Sequence, residues 1–337
     1  VAGDSRPIMP VYHPDGHYAG YSGNGYFTNM AAYLTQGGYQ KSTSNDLWLT
    51  GAIKITPLPS WTINVDYTFN KYNGTYLNVM KEYWDYDALG PAVLFPHTTP
   101  NAVTRRSYDN RYTAFNAYSE YEKTFAQKHY TKVMVGFNQE YSGISSFDAQ
   151  RQKLISNDIP YMSVAYGDRV VNDAASEYAI RGAFARLNYT YDNRYLLELN
   201  GRYDGSSRFP SNDRFAFFPS ASVGWRISNE EFFSGLSNLF QELKFRASYG
   251  NLGNQSITAY YPYIATYSTS EIGYLLNGER PMSVLAPGLV SPTLTWEKVS
   301  QYNFGLDFVM LDGRFYGSFD LYRRDTKDML TKSRALP

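Results

Sequence analysis

The chain has 337 residues with 31 basic and 31 acidic side chains, so its formal net charge is zero and it carries no basic footprint for nucleic acid. It has no cysteine, which excludes disulfides and thiolate metal sites. Aromatic residues make up 17% of it, 33 of them tyrosine, a composition that suits strands and membrane–water interfaces.

Val1-Ala2-Gly3-Asp4 has neither the basic nor the apolar region of a secretory signal. Residues 1–43, rich in Gly, Tyr, Asn and Ser, read as the end of a long extracellular loop. Strands are predicted over 46–56 and 61–71. From Trp61 to Asn70 the odd positions are apolar or aromatic and the even positions polar. Successive strand side chains point to opposite faces, so this ribbon has one apolar face and one wet face. Further strands follow at 111–122, 130–141, 179–191, 194–204, 215–227, 242–250, 296–310 and 315–326.

Connections alternate in length. Pro57-Leu58-Pro59-Ser60, Asp192-Asn193 and Leu311-Asp312-Gly313-Arg314 are turn-like, and 123–129 and 228–241 are modest. Ser228-Asn229-Glu230-Glu231 has capping-box spacing and predicts a one- or two-turn helix. On the other side lie 72–110, 142–178, 205–214 and 251–295. Alternating strands with short turns on one side and long loops on the other describe a transmembrane antiparallel β-barrel of an outer membrane. No apolar run is long enough for a membrane-crossing helix. The mean hydropathy of −0.45 fits a barrel, which shows lipid only every second residue.

The lipid-facing register holds Ile63, Val65, Phe69, Val133, Val135, Phe137, Leu197, Leu199, Tyr203, Val223, Trp225, Phe304, Leu306 and Phe308. Its cations Lys71, Arg111, Arg181 and Arg323 fall at the extracellular rim, where lipopolysaccharide phosphates or ordinary interface water would meet them. Tyr121, Tyr191 and Tyr195 fit a periplasmic aromatic girdle, and Tyr141, Tyr203 and Tyr249 an outer one. The opposite register sets Lys54, Lys132, Arg186, Arg202, Arg226, Lys244 and Arg246 against Asp66, Glu120, Glu122, Glu140, Glu198, Asp204, Asp307 and Asp320. Such a lumen is wet and paired, without a strong field of either sign.

Ten strands place both chain ends outside the cell, and a sheet cut there would leave two unpaired edges in lipid. More chain is therefore expected. The domain reading is an extracellular segment 1–43, a partial barrel 44–326 and the start of a further loop at 327–337.

Sites for chemistry are sparse. His13-Pro14-Asp15-Gly16-His17 offers two imidazoles and a carboxylate, but on a turn that fixes no ligand geometry. Asp85-Tyr86-Asp87 and Asp204-Gly205-Ser206 offer oxygens to calcium or simply form solvated turns. His97 and His129 have no partner defined by the sequence. No catalytic, cofactor or metal residue is assigned. Loop aromatics are the candidates for substrate or partner contact: Tyr76, Tyr83, Trp84 and Tyr86 in one loop, Tyr260, Tyr261, Tyr263 and Tyr267 in another. The same residues would also serve as the loops' own small cores.

Several ordered strings carry a family resemblance. They are Arg181-Gly182-Ala183-Phe184-Ala185-Arg186-Leu187-Asn188-Tyr189, Gly201-Arg202-Tyr203-Asp204-Gly205-Ser206-Ser207-Arg208-Phe209, Phe217-Phe218-Pro219-Ser220-Ala221-Ser222-Val223-Gly224-Trp225-Arg226, Leu243-Lys244-Phe245-Arg246-Ala247-Ser248-Tyr249-Gly250-Asn251-Leu252-Gly253-Asn254-Gln255, and Asp320-Leu321-Tyr322-Arg323-Arg324-Asp325. Together they resemble the barrel of SusC/RagA-type TonB-linked outer-membrane transporters of Bacteroidota. The resemblance is dense over 180–330 and rests on pattern alone over 45–145. It implies a 22-stranded barrel, of which this chain supplies about ten strands, with a plug and a TonB-contacting segment not recognisable here. It further implies import of oligosaccharides or peptides, a SusD-like lipoprotein partner and energy from TonB–ExbB–ExbD. The alternatives from the residues are an omptin-like outer-membrane protease and a soluble, secreted carbohydrate-binding β-protein.

Overall fold

The computed structural model describes residues 10–20, 29–86, 92–94 as backbone, 99–257, 260–288, 290 and 294–329. Ten strands form one antiparallel sheet in chain order. They are β1 (Gly38–Leu58), β2 (Trp61–Met80), β5 (Ala102–Phe125), β6 (His129–Gln152), β7 (Arg169–Tyr191), β8 (Tyr195–Ser206), β9 (Phe215–Arg226), β10 (Phe240–Asn254), β13 (Glu297–Met310) and β14 (Phe315–Lys327). Two small hairpins lie in the long connections: β3 (Trp84–Tyr86) with β4 (Ala92–Leu94), and β11 (Ser268–Glu271) with β12 (Met282–Leu285). A single α-helix among the described residues, α1 (Met30–Gln36), is capped by the Asn29 side chain. No described helix is long and apolar enough to cross a membrane.

Every predicted strand is present, and the register shows why. Tyr195, Trp225, Phe245, Leu306 and Phe319 stand side by side across β8, β9, β10, β13 and β14, followed by Leu197, Val223, Ala247, Phe304 and Leu321. This face is uncovered: Phe304 is 51% and Phe319 65% exposed. One residue along, the other face reads Glu198, Ser222, Ser248, Asn303 and Tyr322. A slip of one residue would exchange the two faces throughout, so the pattern fixes the register.

The tight turns follow their residues. Asp192 and Asn193 both have positive φ, 49° and 53°, and Leu311, Asp312 and Gly313 do the same at 55°, 56° and 79°. Left-handed turns of this kind match the twist of the strands that they join.

Two expectations are corrected. The first concerns strand length: β5 and β6 have 24 residues each and β7 has 23. At about 3.3 Å per residue and a tilt near 40°, such strands rise about 60 Å, far more than the roughly 25 Å apolar band. Their upper ends reach beyond that band, where neither face needs to be apolar throughout and the alternation that marked the lower ends is lost. The long connections shrink to 81–101, 153–168 and 255–296. The second concerns Ser228, which caps nothing. It lies inside a 3₁₀ turn, Ile227–Asn229, and Glu231–Leu236 forms a second one without a side-chain cap. The neighbouring Glu230 carboxylate accepts from Trp225 Nε1 (2.9 Å) and Arg194 Nη1 (3.2 Å).

Two compact units share the chain: residues 1–48, 70–111 and 143–176, and residues 49–69, 112–142 and 177–337. In the first, Val79, Val103, Leu154 and Ala165 form a buried cluster. In the second, Phe209, Phe218 and Trp296 do so.

Leu306 lies mid-row on the exposed apolar face. In full-length protein refolded into phospholipid vesicles, Leu306→Arg should cost about 2–4 kcal/mol in denaturant titrations. Gln301→Arg, on the other face, should stay within about 0.5 kcal/mol.

Candidate functional site

The inner face of the second unit is a wall of paired polar groups. Lys132 Nζ lies 3.2 Å from Glu120. Arg186 Nε donates to Asn200 Oδ1 at 2.6 Å, and Asn188 Nδ2 to Glu198 at 2.6 Å. Arg202 Nη2 meets Asp204 Oδ1 at 2.9 Å and Asn138 Oδ1 at 3.2 Å. Arg246 bridges two strands, with Asp307 at 3.1 Å and Asp320 at 2.8 Å. Charges that neutralise one another in this way leave donors and acceptors for passing solutes without a trap for either sign.

A pocket of about 450 Å³ opens in this wall between Phe184, Arg202, Asp204 and Phe218. Gly253 makes room for it, because any side chain there would collide with the Phe218 ring.

An aromatic cluster lies in the same unit. Tyr178 of β7 and Tyr260 of the 255–296 connection stack with centroids 5.6 Å apart and planes at 14°. The Arg208 guanidinium lies 4.3 Å from the Tyr178 centroid and 5.5 Å from that of Tyr260, and Nη1 donates to the Gln255 carbonyl at 3.2 Å. Each such cation–π contact contributes about 0.5–2 kcal/mol. Trp296 joins the same connections: its ring packs on Phe209 and Phe218, and Nε1 donates to the Arg214 carbonyl at 3.0 Å.

The eight aromatic candidates are divided between the two units, four in each. Tyr76 lies on β2, with Arg106 at 5.9 Å from its ring. Tyr83 is buried with Ala32, and burial together with the Asp85 charge pushes its hydroxyl up to about 12. Trp84 is exposed, and the Tyr86 carbonyl accepts from His13 Nε2 at 2.7 Å. Tyr261 and Tyr263 meet edge to face at 6.3 Å, and Tyr267 is 69% exposed. Tyr260 alone of the eight reaches the Tyr178 and Arg208 cluster. Tyr178 itself went unpredicted because it stood in an assumed loop; carrying the even register of Phe184 and Arg186 back along β7 would have found it.

The histidine turn does not assemble a metal site. His13 is turned to Tyr86, and His17 Nδ1 lies 3.1 Å from Asp15. Among the described residues no group of three His, Asp or Glu side chains could hold a metal. His97 and Asp87 lie outside the described residues. Asp204 is engaged by Arg202. Asp85 is buried, and its Oδ2 has no hydrogen-bond partner among the described residues.

A model of the family described as TonB dependent receptor-like, beta-barrel, matches residues 6–337. The chain belongs to that family. TonB-dependent receptor P26 of Formosa agariphila is 27% identical over 333 residues, 96% of this chain and 32% of its own length. TonB-dependent receptor SusC of Bacteroides thetaiotaomicron is 33% identical over 233 residues, 68% of this chain and 22% of its own. Among solved structures, the RagAB peptide transporter superposes with a TM-score of 0.78 at 25% identity, covering 94% of this chain and 34% of that one. The chain is thus SusC/RagA-type barrel, and it spans about a third or less of the length of these relatives. They are receptors and transporters, not enzymes, and barrels of this family lie in the outer membrane.

Burial raises the Asp85 carboxyl above the usual carboxylate range. The folded state then binds this proton more tightly than the unfolded chain. The stabilisation is complete below the unfolded value of about 3.9 and is lost as pH climbs through the raised folded value. Amide exchange at Gly20 and Tyr86, which hold the β3 segment (2.6 and 2.9 Å), should therefore lose protection as pH rises. Asp85→Asn should remove that trend.

Trp296→Ala should open a cavity worth about 3–5 kcal/mol. Limited proteolysis should then cut within 207–214 and 255–296 while β9 and β10 stay intact.

Proposed function

We propose that this chain is part of the wall of an importer that moves oligosaccharides or peptides across the outer membrane. It would work with a SusD-like surface lipoprotein and draw energy from TonB–ExbB–ExbD through a plug outside these residues. The observation that carries the reading is the match to RagAB along 94% of the chain, since that protein is described as a peptide transporter. The inner wall supports it. Paired charges, amides and flat aromatic rings suit reversible contact with sugar rings or peptide groups.

Within this reading, the pocket at Arg202 and Phe218 and the nearby Tyr260 are the substrate contacts. Trp84 of the first unit, with Tyr76, Tyr83 and Tyr86 of the same unit, and separately Tyr267 and the edge-to-face pair Tyr261 and Tyr263 of the second, serve the lipoprotein or the substrate. The segments expected as loops, 1–43 and 327–337, are shortened by β1, which starts at Gly38, and by β14, which ends at Lys327; the remainder belongs to extracellular loops. Lipopolysaccharide contact falls first to Arg111 and Arg181, because Lys71 is paired with Asp109 and Arg323 with Asp325. A soluble sugar-binding protein would have to cover the apolar face, which is open along the full rows.

The test is uptake of labelled oligosaccharides and peptides by cells expressing the full-length protein. Uptake should require TonB. Arg202→Ala combined with Phe218→Ala should reduce it about 10-fold at low substrate, equivalent to roughly 1.4 kcal/mol of binding. Uptake unchanged by deletion of the protein, or hydrolysis of the peptide by the purified protein, would refute the proposal.

A further inference from the structure

The connection between β9 and β10 sits on the short-turn side of the sheet yet runs from 227 to 239, well beyond a tight turn. Its apolar residues are divided. Phe233 is buried, with its ring 6.0 Å from Phe240. Phe232 is 71% exposed, and Leu236 and Leu239 are exposed as well. A free loop in water has no use for three such side chains within eight residues.

Two ring contacts seat the segment against the outward face. Phe232 lies 6.4 Å from Trp225, a member of the outward apolar row. Phe240 belongs to the same face through a bulge. The register shifts between Phe240 and Glu242, so Phe240 pairs with Met310 and Met310 with Phe315. Bulges re-aim side chains in this way. Both rings that hold the segment therefore stand on the outward face. Glu230 locks it there: the carboxylate accepts from Trp225 Nε1 and Arg194 Nη1, and its bonds to Tyr195 and then Trp225 hold it below the usual carboxylate range. The Leu311 amide donates to the Leu239 carbonyl at 3.1 Å, which brings the exposed Leu311 alongside.

We infer that residues 231–239 form an interfacial anchor that lies along the membrane surface and inserts Phe232, Leu236 and Leu239 into the inner, phospholipid leaflet of the outer membrane. The inference rests on the barrel reading. The occupant is lipid because Phe232 adjoins Trp225 at the end of the outward rows, and on the barrel reading those rows face hydrocarbon. In this 3₁₀ turn residues three apart eclipse, so Phe232 and the row of Phe233 and Leu236 occupy two adjacent edges while Ser234 and Ser237 share the third, which divides a surface-lying element into apolar and polar sides. Its consequence is mechanical. A strand crosses the membrane at any height that its apolar band allows, whereas a lateral wedge at the base sets depth and tilt.

The test places single spin labels on the full-length protein in vesicles of phosphatidylethanolamine and phosphatidylglycerol. Labels go on Phe232→Cys, Leu236→Cys, Leu306→Cys and Asp312→Cys, in a background free of other cysteines. Relaxation by oxygen reports lipid, and relaxation by a water-soluble nickel chelate reports solvent. Labels at 232 and 236 should favour oxygen over nickel about 3-fold or more, as at 306, while 312 should favour nickel. Solvent-type relaxation at 232 and 236 with a lipid-type signal at 306 would overturn the anchor and leave the barrel standing. A label shielded from both reagents at 232 and 236 would assign the patch to a protein partner and overturn it equally. A solvent-type signal at 306 would remove the barrel reading and the anchor with it.

Discussion

A backbone amide in hydrocarbon has no water to turn to, so each must find its partner on the next strand. That constraint governs the sheet. It forces the strands into an unbroken antiparallel ladder, from β1 to β14 in chain order. The ladder in turn aligns side chains into rows, and only a strict two-residue pattern keeps every row uniform. Tyr195, Trp225, Phe245, Leu306 and Phe319 share one row because each occupies the same parity in its own strand. The polar rows are the necessary complement, since every second residue is left for water.

The same argument explains the Arg246 bridge. On a lumen wall, charges sit side by side on neighbouring strands at spacings fixed by the ladder. Arg246, Asp307 and Asp320 occupy three adjacent strands and close into one group. Arg202 with Asp204 achieves a similar balance within a single strand, two residues apart. A wall assembled in this manner carries many charges and little net field.

The fold was legible wherever water and lipid stood on opposite sides of a strand. From Trp61 to Asn70 each residue declared its face, and the same held for the lower ends of β5, β6 and β7. Above the apolar band the test failed for a physical reason. At Arg105, Arg106, Ser107 and Tyr108 the strand has left the apolar band; Arg105 and Ser107 are exposed, and Arg106 and Tyr108 make the half-buried side from polar and aromatic groups, so apolar and polar residues need not alternate. The long connections were overestimated by that margin, and Tyr178 was hidden inside one of them. The tyrosine clusters were visible as composition, but their partners were not. Tyr260 is brought to Tyr178 and Arg208 only by tertiary packing, from a connection some 80 residues away in sequence. Ser228 shows the opposite error: its capping-box spacing to Glu231 was present, yet Ser228 lies inside a 3₁₀ turn and the short helix that follows, Glu231–Leu236, has no side-chain cap.

Loops on this barrel divide into held and presented parts, and the division follows aromatic packing. Phe209, Phe218 and Trp296 are buried and fix the roots of two connections to the inner wall. Arg208 adds a second fastening one residue away, inserted against Tyr178 and Tyr260. Beyond Tyr267 the same connection carries no such fastening among the described residues, and Tyr274, Leu275, Leu276, Met282 and Val284 are all exposed on the β11 and β12 hairpin. A two-stranded hairpin has little independent stability in water. Fixed roots and a loose tip give a segment that can swing while the wall beneath it keeps its shape. Rings at the root are buried and hold the wall, and rings at the tip stand exposed.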